Sequence, residues 1–71
     1  MTYELSNEDK LSIIDQHIRS VDYTLFGAAL DLIEANAVSS PEASLITGIE
    51  ERIEDFTAKK TALATERAKL V

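Results

Sequence analysis

Two places in the chain carry side chains that could do chemistry. Asp15 and His17 are a carboxylate and an imidazole close in sequence, the ingredients of acid and base work. Two residues apart on a helix, however, they point to different sides and cannot work together on one group. His17 is therefore read as a surface histidine. The second place is Glu50, Glu51, Glu54 and Asp55, the densest run of acids. Glu50 with Glu54, and Glu51 with Asp55, repel one another at one-turn spacing. Such repulsion suits a solvated face or a docking site for a basic partner. A dinuclear metal site in a helical bundle needs inward carboxylates and a Glu followed three residues later by His, and the chain has no such pair. It has no cysteine and one histidine, so no thiolate or zinc cluster can be assembled, and no glycine-rich phosphate loop occurs. The expectation is a protein that is not an enzyme and takes no cofactor or metal.

The elements that carry these residues are legible from spacing. Leu11, Ile14, Ile18, Val21, Leu25, Ala28, Leu32 and Ala35 recur at intervals of three and four in strict alternation. This is the seam of a helix that packs lengthwise on another helix. Ser6 stands before it as an N-cap, with Glu8 and Asp9 on the first turn where the helix dipole favours negative charge. Asn36 suits a left-handed helix end, and 38–40 followed by Pro41 supply the break. Ser40 as N-cap and Pro41 as first helical residue would open a second helix. Its seam continues as Ile46, Ile49, Ile53, Phe56, Lys60, Leu63, Arg67 and Leu70. The expected fold is all-α, one domain over 1–71. An N-terminal arm (1–6, with Tyr3 and Leu5 able to fold over the helix end) leads to helix 1 (7–37). A turn (38–40) and helix 2 (41–70) complete a long, coiled-coil-like antiparallel hairpin.

Charge supports that direction of folding. Residues 57–71 carry four bases and one acid, residues 1–15 four acids and one base, and antiparallel packing sets them side by side. Lys60 is expected near Ile18 and Asp22, and Arg67 near Leu11 and Glu8, their stems lying over the seam and their charges reaching carboxylates. Exposed pairs of this kind select orientation more than they hold a fold.

A second line on helix 1 is left without a use inside the hairpin. Tyr23, Phe26, Leu30, Ile33 and Ala37 also alternate by three and four, with Gly27 bordering them, and lie roughly 150° around the helix from the seam at 100° per residue. The outer face of helix 2 is small by contrast: Ala58, Thr61, Ala62, Thr65 and Ala68. A chain of 71 residues has little core, and oligomerisation is a usual remedy. The expected function is thus protein–protein interaction, with two copies joined through this line, most simply as a dimeric four-helix bundle. An alternative is a small regulatory or accessory protein, of the kind viruses and prophages encode, that docks the same line on a different protein. A third reading is an acidic mimic of nucleic acid. The net charge of −6 argues against binding nucleic acid itself. Met1–Leu5 shows no leader pattern, and no apolar run nears the ~20 residues that span a bilayer, so a cytoplasmic protein without membrane contact is expected.

Overall fold

The computed structural model describes residues 4–71 and contains two α-helices, α1 (Asn7–Asn36) and α2 (Ala43–Ala68), packed against each other. No strand occurs among the described residues. The two helices make a rod 54 Å long and 19 by 16 Å across. Met1, Thr2 and Tyr3 lie outside the described residues, so the arm is seen only from Glu4, and the expectation for Tyr3 falls beyond them.

Periodicity decides which face of each helix is covered. All eight seam positions of α1 are withdrawn from solvent; on α2 its seven seam positions are the only ones so withdrawn, and Leu70, just past its end, is withdrawn too. Among the described residues Ala28 alone reaches full burial, at 2% exposure, its small side chain lying mid-seam under the larger residues of α2. The core is therefore a single line of contact, which a two-helix chain cannot thicken. Among the described residues, no helix is long and apolar enough to cross a membrane.

The N-terminus of α1 forms as its sequence dictates: Ser6 is extended (φ −68°, ψ 160°) and its Oγ accepts from the Asp9 backbone N–H at 3.0 Å. The other three ends differ from expectation. Asn36 is the last residue of α1 and takes no left-handed conformation. The helix closes on Ala37 in right-handed geometry (φ −79°, ψ −15°), while the Asn36 side-chain amide donates to the Leu32 carbonyl at 2.9 Å. That bond ties the side chain back along α1 and removes the need for a turn through positive φ. α2 begins at Ala43 with Glu42 as its N-cap, not at Pro41 with Ser40, so the connection is 37–42 and not 38–40. Its first seam residue is Ile46, so no burial rewards an earlier helical start. Glu42 is instead extended (φ −84°, ψ 114°), and the longer connection gives the chain reach to reverse direction. α2 also stops at Ala68, with Lys69 as C-cap, short of Leu70.

Two ion pairs join the helices and confirm their antiparallel direction. Lys60 Nζ lies 2.7 Å from Asp22 Oδ1, and Arg67 Nε 2.8 Å from Asp15 Oδ1. The Lys60 pair is the expected one; Arg67 reaches Asp15 and not Glu8. The reason is the repeat itself: seven residues outward along α2 from Lys60 is seven residues back along α1 from Asp22. Glu8 lies two further turns away, roughly 10 Å along the axis.

Candidate interaction surface

Tyr23, Phe26, Leu30 and Ile33 are held in a row by the rigid central and C-terminal parts of α1. Their exposures are 68%, 67%, 44% and 65%, high values for large apolar side chains. Helical geometry requires this. Each is next to or two before a seam residue, with Phe26 after Leu25 and Ile33 after Leu32, so burial of the seam turns the row outward. Leu30 is the least exposed of the four. Ala37 continues the row but is the C-cap and not a helical residue.

Gly27 borders the row, and a Cβ built there would meet no atom within 4 Å; the same holds for Gly48 on α2. No neighbour within the hairpin demands either glycine. At the N-terminal end of the row, Arg19 lies along the aromatic ring of Tyr23, its guanidinium carbon 5.5 Å from the ring centroid and its Nη2 donating to the Tyr23 hydroxyl at 3.3 Å. The row thus runs from Tyr23 to Ile33 and is closed at its N-terminal end by a cation.

The residues that suggested chemistry are separated. Asp15 accepts from Arg67, whose guanidinium is held above its ordinary pKa first by that hydrogen bond and then by the Asp15 charge. His17 is exposed on another side of α1. Glu50, Glu51, Glu54 and Asp55 are all exposed on α2. Among the described residues, no three His, Cys, Asp or Glu side chains converge to hold a metal ion. Further along α2, the hydroxyls of Thr57, Thr61 and Thr65 each donate to the carbonyl four residues earlier, at 2.7, 3.1 and 3.0 Å. The small outer face of α2 therefore presents mainly methyl groups.

Sequence reasoning overlooked two smaller apolar features. At the open end of the rod, Leu5, Ile13, Ile14 and Leu70 line a shallow groove rimmed by Lys10, Glu66 and Lys69. At the other end Val38 and Leu45 flank the chain reversal and stay more than half exposed. Ile13 and Leu45 fall off both periodic lines, so spacing alone gave them no role.

Comparison with family models, with curated proteins and with solved structures finds no match to this chain.

Proposed function

We propose that this protein acts by binding and not by catalysis, as a cytoplasmic hairpin that self-associates through Tyr23, Phe26, Leu30 and Ile33 into a two-fold, four-helix dimer. The observation that carries this reading is the imbalance within one chain: those four side chains stay outside while, among the described residues, Ala28 alone is fully buried. Covering them contributes roughly 1.5 to 3 kcal/mol each at complete burial. That is large beside the stability of a 71-residue chain with a single line of core contact. A chain without cysteine also fits a reducing compartment.

Light scattering at micromolar concentration tests the reading. The unmodified protein is expected at twice its 7.8 kDa chain mass, and Phe26→Glu or Leu30→Glu at the monomer mass or unfolded. A well-folded monomer of the unmodified chain overturns self-association and assigns the row to a different protein.

A further inference from the structure

We propose that the second copy docks antiparallel on α1, with the two-fold axis passing beside Gly27 and Ala29, so that Arg19 of each copy sits at the C-terminal end of α1 of the other. This rests on the self-association argued above and specifies its geometry. Along the outer line of α1 the residues read Arg19, Tyr23, Phe26, Leu30, Ile33, Ala37, at intervals of four, three, four, three and four. That series of intervals is the same in both directions. Two α1 helices laid antiparallel about position 28 therefore meet in complete layers: Tyr23 against Ile33 of the other copy, Phe26 against Leu30, and Arg19 against Ala37.

Charge complementarity selects this direction. The C-terminal end of a helix is the negative end of its dipole, and the last turn of α1 carries no base to offset it. Asp31 and Glu34 add negative charge there. Arg19 is the one base on the outer line, and it already lies along that line over the Tyr23 ring. Antiparallel docking brings it to the partner's negative helix end. Parallel docking brings Arg19 against Arg19 and sets the two helix ends, each with Asp31 and Glu34, side by side. The small residues agree with a close crossing. Gly27 and Ala29 flank the line at its midpoint, one on each side, and Gly27 has no Cβ where the other helix must pass.

The row points roughly 150° away from the seam, so the four helices lie nearly in a line, α2, α1, α1, α2, and not at the corners of a square. Overlap is confined to the α1 segment 19–37, and the open ends of the hairpins point in opposite directions.

The test uses the cysteine-free full chain. Ser20→Cys and Glu34→Cys are placed on separate copies, mixed and oxidised. They flank the row without belonging to it, and antiparallel docking sets them opposite one another. The mixed disulfide is expected. Ala37→Cys alone is expected to give no self-link, because its two copies stand roughly 27 Å apart by the helical rise. Solution X-ray scattering of the unmodified dimer is expected to give a longest dimension of roughly 70 Å, against the 54 Å of one hairpin. A dimer in which Ala37→Cys links to itself, or whose length stays near that of one hairpin, overturns antiparallel docking while leaving self-association intact. So does a dimer in which the mixed disulfide fails to form. A monomer by mass overturns both. The scattering length needs no substitution, so it decides the matter even if a cysteine variant fails to fold.

Discussion

At the scale of single residues, Ala28 and Arg67 show two different limits on what a side chain can do here. Ala28 is at 2% exposure in the seam between α1 and α2, so a larger side chain there must displace what covers it. Ala28→Leu is expected to destabilise the hairpin by about 1 to 3 kcal/mol through overpacking, read as a lower urea midpoint. The same substitution at Ala58, on the open outer face of α2, should leave the midpoint nearly unchanged. Arg67 works at the surface. Its pKa is raised by Asp15, and a raised pKa stabilises the fold at every pH below the ordinary arginine range, the benefit fading only in strong alkali. Arginine ionisation therefore adds no pH dependence near neutrality. The pair should instead reveal itself in the direction of folding, which charge reversal at both Asp15 and Arg67 would preserve.

At the scale of the helices, stability is limited by two local flaws in α2. Gly48 sits in mid-helix with empty space where its Cβ would be, so nothing in the hairpin repays its conformational freedom. Gly48→Ala is expected to stabilise by about 1 kcal/mol. Glu42 occupies the N-cap position of α2 and makes no capping bond to the backbone; its carboxylate instead accepts from Ser44 Oγ at 3.1 Å. Glu42→Ser should supply the missing acceptor and stabilise by about 1 kcal/mol. Thermal melts of the two variants and their combination check both values, which should add because the sites lie in different turns. By contrast, Ser40→Ala should change nothing, since Ser40 lies in the connection and caps no helix.

At the scale of the whole molecule, the hairpin is a rod with one contact line inside and one apolar row outside. If covering the row supplies much of the stability, folding and association are linked by mass action. The melting midpoint of the unmodified protein should then rise with protein concentration. That of Phe26→Glu, if it remains folded, should not. Circular dichroism melts across a hundredfold range of concentration separate the two behaviours, and a midpoint independent of concentration would count against the dimer. Salt should weaken the Lys60 and Arg67 pairs but strengthen burial of the row if the anion is sulfate, so the dimer should survive salt that screens surface charge.

The seam positions of both helices were readable in the residues alone, because burial in a long helical pair depends only on a repeat of three and four, and that repeat is a property of the chain. So were the antiparallel direction, carried by the charges of 1–15 and 57–71, and the outward row, carried by its angle from the seam. The ends of the helices were not readable in the same way. Whether Asn36 turns left-handed or bonds back to Leu32, and whether α2 starts at Pro41 or Ala43, are choices between local states of similar energy. They are settled by how far the chain must travel to bring the second seam onto the first. Arg67 took Asp15 and not Glu8 for the same reason, since only the packed pair of helices decides which carboxylate stands within reach. Periodicity determined what is buried; the tertiary structure decided where each helix stops and which charges meet, because those depend on distances between segments far apart in sequence.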